Sequence, residues 1–230
     1  MFRSRGPASD ALRDAAWVAR CVGRAENAPL RPSDVAALGA YLEVRESPRG
    51  TVLFKQGEPQ TAVFVVRSGT VELTVGGGRR PPVVQVLHPG DVEGDISLLL
   101  GHPPPYQAGT LDDVTCLVLP ATSFEALLAE HPAIARRWLS SVAERLARSH
   151  MRIVELLGRP LESQTAALLL DEAVDREVRL PQQTLAAMLG VHRQGLNRVL
   201  KQFEAEGLVA LSYGAVTVKD EPGLRRLARR

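Results

Sequence analysis

Aromatic residues make up only 4% of this 230-residue chain, so its cores must rely on Leu, Val and Ala. Cysteine is scarcer still. Two residues, Cys21 and Cys116, exclude a disulfide framework and a four-cysteine metal or iron–sulfur site within one chain. No apolar run approaches the ~18 residues that span a bilayer. Met1 to Asp10 lack the apolar centre of a signal peptide. The expected location is the cytoplasm, with no membrane partner. An excess of one charge is also lacking. The 28 Lys and Arg nearly balance 26 Asp and Glu, for a formal net charge of +2. Bulk electrostatics therefore points to no polyanion, and any basic surface has to be local. Catalytic signatures are missing too: no Gly-x4-Gly-Lys phosphate loop, no nucleophile elbow and no paired-His metal motif. An enzyme and a metal site are both unexpected.

What is present is patterning. Apolar residues reach 45%, enough for one large or two modest domains. Helical character is weak around Ala11 to Cys21. A second helix is expected after Pro32-Ser33-Asp34, with Val35, Leu38 and Leu42 at helical spacing. From Arg49 to Pro120 short apolar runs alternate with Gly and Pro turns: Thr51–Phe54, Val63–Val66, Val71–Val75, Val83–Leu87 and Val114–Leu119. That grammar predicts a sandwich or barrel of short strands.

A helical run is expected near Ser123, and a longer one follows His131-Pro132. In it Leu139, Val142, Leu146, Ser149, Ile153 and Leu156 fall in a heptad seam, flanked by Glu144, Arg145, Arg148, Arg152 and Glu155. Such a seam predicts a dimer helix. Gly158-Arg159-Pro160 closes it and marks a domain boundary. Helices are then expected over Ser163–Asp175, Gln182–Leu189 and Arg193–Glu206, followed by a hairpin of Leu208–Leu211 and Ala215–Val218.

The most informative stretch runs from Thr184 to Lys201, TLAAMLGVHRQGLNRVLK. Leu185, Met188 and Leu189 give its first helix an apolar face, and Gly190 sits where a tight interhelical turn needs it. Leu196, Val199, Leu200 and Phe203 form the buried stripe of its second helix. That leaves Arg193, Gln194, Asn197, Arg198 and Lys201 exposed. These residue types read base edges and phosphates. Between Val178 and Phe203 there is no Asp or Glu, which suits contact with double-stranded DNA. Glu206-Gly207-Leu208-Val209 and Tyr213-Gly214 fit a wing.

At these residues the chain resembles the CRP/FNR family of bacterial regulators, from Leu30 to Lys219. The stretches beginning Thr51-Val-Leu-Phe-Lys-Gln-Gly-Glu-Pro, Val65-Val-Arg-Ser-Gly-Thr-Val-Glu-Leu and Pro89-Gly-Asp-Val-Glu-Gly-Asp resemble the cyclic-nucleotide-binding barrel. The resemblance implies an α+β, two-domain protein. Residues 1–130 would form a β jelly-roll sensor with flanking helices, 131–158 the dimerisation helix and 159–230 a winged helix-turn-helix. It implies a homodimer on near-palindromic DNA, with RNA polymerase as a further partner. The base-reading positions would be Arg193, Gln194 and Arg198, with His192 and Thr184 also at the DNA.

The family's ligand residues carry over only in part. Its Gly-Glu pair becomes Gly94-Asp95, and its phosphate-binding Arg-Ser pair falls on Pro105-Tyr106. No Arg occurs between Arg80 and Arg136. A cyclic phosphate without its guanidinium loses roughly 1.5–3 kcal/mol, so the cyclic AMP cofactor becomes doubtful. Two other readings stay open here: a cyclic-AMP-responsive regulator with a non-standard pocket, or a thiol switch. For the latter, Cys116 would face outward if Leu117 and Leu119 face the core, and Arg20 and Arg24 would lower the pKa of Cys21.

Overall fold

The computed structural model describes residues 7–23, 28–77, 81–212 and 214–229, excepting the side chains of 7–9, 152 and 155–158. The chain divides into two compact units, 1–76 with 84–147, and 77–83 with 148–230.

The first unit is built on two four-stranded antiparallel sheets. One has the order β1 (Glu43–Ser47), β8 (Val114–Pro120), β3 (Ala62–Ser68), β6 (Val92–Glu93). The other has the order β2 (Val52–Phe54), β7 (Gln107–Thr110), β4 (Val71–Thr74), β5 (Val83–Leu87). Successive strand residues point to opposite faces, and in β3 both faces are buried. Ala62, Phe64 and Val66 enter the core between the sheets. Val63 and Val65 enter a second core under the helices. The same split in β8 sends Cys116 and Val118 inward, and Leu117 and Leu119 toward the helices. Continuous apolar runs are the mark of strands covered on both sides.

The helical layer consists of α1 (Pro7–Cys21), α2 (Pro32–Tyr41), α4 (Ala121–Glu130) and the start of α5 (Pro132–Gly158). Ala15, Val18, Leu38, Phe124, Leu127, Ile134 and Trp138 fill its core. Arg67 fastens α1 to the sheet: its guanidinium lies 4.6 Å from the centre of the Trp17 ring, and its Nε lies 3.4 Å from Asp14. Arg137 of α5 donates to the carbonyls of Ala19 and Ala28 at 2.7 and 2.6 Å. Gly23 closes against the same place with φ +72, where a Cβ would stand 2.5 Å from the Arg137 carbonyl oxygen. A short helix, α3 (Asp95–Leu100), follows β6.

The second unit holds α6 (Leu161–Glu172), α7 (Gln182–Met188), α8 (Arg193–Ala205) and α9 (Glu221–Ala228). They pack with a three-stranded sheet of order β10 (Val209–Ser212), β11 (Ala215–Val218), β9 (Glu177–Val178). This is the winged helix-turn-helix. Val174 and Glu177 exchange both backbone hydrogen bonds across Asp175 and Arg176, which have φ of 51° and 65°. Two positive φ values give the primed turn that suits strand twist, here without glycine.

Candidate DNA interface and sensor site

Helix α8 presents a divided surface. Leu196, Val199, Leu200 and Phe203 are buried at i, i+3, i+4 and i+7, the spacing of one helical face. His192, Arg193, Gln194, Asn197, Arg198 and Lys201 are all exposed. Gly190 makes the entry turn with φ +65. Its backbone N–H caps α7 at Ala187, and Val191 N–H reaches Ala186. A Cβ at Gly190 would meet no atom within 4 Å, so the positive φ alone favours glycine there. Thr184, expected among the DNA contacts, is buried instead. It sits on the α7 face that carries Leu185 and Met188 into the core, so its side chain is not presented to a ligand.

The cations differ in how free they are. Lys201 pairs with Glu204 at 3.1 Å, and Arg179 with Glu177 at 2.7 Å, both at the surface. Glu204 also accepts from Leu211 N–H, which ties α8 to the wing. The hydrogen bond from Lys201, followed by that from Leu211, lowers its pKa. Among the described residues, neither Arg193 nor Arg198 has an acidic partner within ion-pair distance.

Along α5, Leu139, Leu146, Ser149 and Ile153 are exposed, Leu139 by 70%. Val142 turns partly into the helical core. The side chain of Leu156 lies outside the described residues. Arg145 departs from its expected place beside the seam. Its guanidinium reaches into the sensor unit, donating to the Val92 carbonyl at 2.8 Å and pairing with both oxygens of Asp95. Trp138, two turns earlier on the same face, donates Nε1–H to Asp95 Oδ2 at 2.7 Å.

Asp95 is fully buried and also accepts from Ile96 N–H at 2.9 Å. Each oxygen therefore already accepts two hydrogen bonds, the capacity of a carboxylate. Gly94 before it has φ +90. A Cβ there would lie 2.6 Å from the Ala62 carbonyl oxygen and 2.5 Å from Gln60 Nε2, which explains the glycine. Pro105 is exposed. Tyr106 stacks obliquely on Phe54 at 6.4 Å and donates its hydroxyl to Glu93 Oε1 at 3.0 Å. Glu93 is buried opposite Phe64 in the β3–β6 register and takes a second hydrogen bond, from Gly94 N–H, on the same oxygen. Burial, then the Asp95 charge, raises its pKa against the pull of these donors and Arg145.

The sequence reading missed Glu93, Trp138 and Arg145. The available signals were an acid inside an apolar strand end, and a Trp and Arg seven residues apart on a helix. The thiol expectation is corrected. Cys116 lies between the sheets at 1% exposure, because both faces of β8 are covered, and burial pushes its thiol up to about 11. Burial also pushes Cys21 up to about 11, outweighing the lowering by Arg20. Among the described residues no cluster of His, Cys, Asp and Glu could hold a metal, and no helix is long and apolar enough to cross a membrane.

With this geometry in place, the chain compares directly with known proteins. Residues 44–131 match the family model of the cyclic nucleotide-binding domain, and 163–227 that of the Crp-like helix-turn-helix domain. The HTH-type transcriptional regulator Cmr of Mycobacterium tuberculosis is 50% identical over 97% of this chain and 91% of its own length. The CRP-like cAMP-activated global transcriptional regulator of the same organism is 26% identical over 87% of this chain and 94% of its own. In fold, the chain matches the CRP/FNR-family regulator TTHA1359 of Thermus thermophilus. The TM-score is 0.70 at 23% identity, over 82% of this chain and 99% of that one. FixK2 of Bradyrhizobium japonicum gives 0.73 at 19%, over 81% and 96%.

Proposed function

The chain belongs to the CRP/FNR family of DNA-binding transcription regulators, and on that premise we propose that it acts as a homodimer reading near-palindromic DNA without needing cyclic AMP. The observation that carries the proposal is the outer face of α8. Arg193 and Arg198 stand exposed and unpaired beside Gln194 and Asn197, in a stretch free of acid. Arg suits guanine, and Gln or Asn suits adenine. Exposed Leu139, Leu146 and Ile153, seven residues apart on α5, supply an apolar seam for the second copy. Two α8 helices would enter successive major grooves about 34 Å apart. RNA polymerase is the further partner we assign, and the cytoplasm, where the DNA lies, is the location. Helix pairs and wings of this kind bind rather than catalyse.

The residues present do not fit a cyclic phosphate. Pro105 and Tyr106 offer no cation where the family's Arg-Ser pair would fall. The four acceptor positions of Asp95 are already filled by Ile96, Trp138 and Arg145. The Tyr106 hydroxyl is donated to Glu93 Oε1 instead of being left for a phosphate. α5 is anchored to the sensor by the chain's own side chains.

Selection of the full-length protein on random duplexes tests this reading. The expected result is enrichment of a two-fold site whose half-sites are about 10 bp apart. Retention of all sequences alike, or of none, would contradict it.

A further inference from the structure

Glu93 is a titratable group that DNA recognition does not use. It is buried at the end of β6, and both of its donors, Gly94 N–H at 2.9 Å and the Tyr106 hydroxyl at 3.0 Å, converge on Oε1. A proton on this carboxyl would sit on Oε2, with Oε1 as the carbonyl, while both donors pull toward the carboxylate. Beside it stands the Asp95–Arg145 pair, which balances one carboxylate with one guanidinium. Arg145 Nε is buried and has no hydrogen-bond partner, so the guanidinium has a donor in hand for a second acid.

We propose that the sensor unit responds to protons through Glu93, whose ionisation sets a second carboxylate beside Asp95 and draws Arg145 from its anchor on that residue. The groups facing Glu93 make the balance explicit. From α3 comes Asp95, a like charge. From α5 comes Arg145, the one cation near it among the described residues. From the residue before β7 comes Tyr106, whose own pKa is raised by burial and by Glu93, so it stays a neutral donor. β3 faces it with Phe64, which carries no charge. Burial acts in the same direction, holding Glu93 protonated above the usual carboxylate range. With Glu93 neutral, Asp95 keeps Arg145 and Trp138, and α5 is fixed to the first residue of α3. With Glu93 ionised, two carboxylates share one guanidinium. α5 runs on unbroken past Arg148 into the second unit, so the anchor on this helix bears on the DNA-binding half. The acidic form is therefore the DNA-competent one.

The DNA arm of this inference rests on the proposed function, and the test separates the two. The chain has two tryptophans, so a Trp17→Phe background leaves Trp138 as a local reporter on Asp95. Trp138 emission and affinity for the selected DNA would be followed from about pH 5 to about pH 9 in full-length protein. The expected result is one shared midpoint, with DNA binding weakening several-fold as pH rises. Glu93→Gln, isosteric with the neutral acid, should flatten both curves. Tyr106→Phe removes a donor that favours the carboxylate and should move the midpoint upward. A flat Trp138 curve in the unmodified sensor, or an unchanged titration in Glu93→Gln, would overturn the inference. Should DNA fail to bind at every pH, the regulator reading falls, and the Trp138 titration still decides the role of Glu93.

Discussion

Trp138 Nε1 donates to Asp95 Oδ2 at 2.7 Å in the buried interior of the first unit. Together with Arg145, this contact pins α5 to the first residue of α3. A hydrogen bond to a buried carboxylate contributes about 1.5–3 kcal/mol. Trp138→Phe should lower the stability of the first unit by roughly that amount, read from the urea midpoint at neutral pH. No change in the midpoint would show that the anchor is not strained by its loss.

Recognition by α8 makes a paired prediction. Arg193→Ala should cost about 1–3 kcal/mol on the selected site and relax sequence preference at one position. Lys201→Ala should weaken all sequences alike and flatten the salt dependence. Filter binding on specific and random duplexes at several salt concentrations separates the two. Equal losses on both duplexes for Arg193→Ala would refute its role in reading bases.

Asp34 supplies an acid-sensitive contact away from the sensor. Its carboxylate accepts from Arg31 N–H at 2.8 Å and meets His131 Nδ1 at 2.9 Å. Burial opposes ionisation, but these partners win and its pKa is lowered. A depressed carboxylate adds stability that is complete above its unfolded pKa of about 4 and is lost as pH falls through the folded value. Asp34→Asn should be less stable than wild type at neutral pH and should flatten the acid limb of a stability–pH curve. Parallel acid limbs would contradict this.

The cysteines should be silent. With both thiols pushed up to about 11 by burial, little thiolate exists near neutral pH. Iodoacetamide at neutral pH should label neither Cys21 nor Cys116 in the folded protein and both after unfolding, as read by mass spectrometry. Rapid native labelling of Cys116 would reopen the thiol switch.

Much of the fold was legible because period and burial agree. β3 and β8 announce themselves as apolar runs, and the α8 stripe from Leu196 to Phe203 recurs at helical spacing. β1 was hidden because Glu43–Ser47 is a charged edge strand, four of whose five residues are exposed. β6 has only two residues, and β7 reads Gln-Ala-Gly-Thr. α3 is six residues between two left-handed glycines, and α9 begins at Glu221-Pro222-Gly223, which reads as a break. Asp220 rescues that helix by accepting from Gly223 N–H at 3.0 Å. At the sensor, Gly94 and Asp95 were found, but the partners of Asp95 come from a helix some 50 residues later. A heptad pattern names the outward seam and is silent about which flanking side chains turn inward, so Arg145 is expected beside the seam and not at Asp95.

The central claim is that this chain reads DNA with its sensor anchored by its own residues. The most direct measurement is the dissociation constant for the selected duplex, with and without about 1 mM cyclic AMP, the upper end of ordinary small-ligand affinity. The account predicts the same constant in both, and no heat when the nucleotide alone is titrated into the protein. Tight DNA binding only with the nucleotide present would contradict it and would mean that Asp95 releases Arg145 to a ligand.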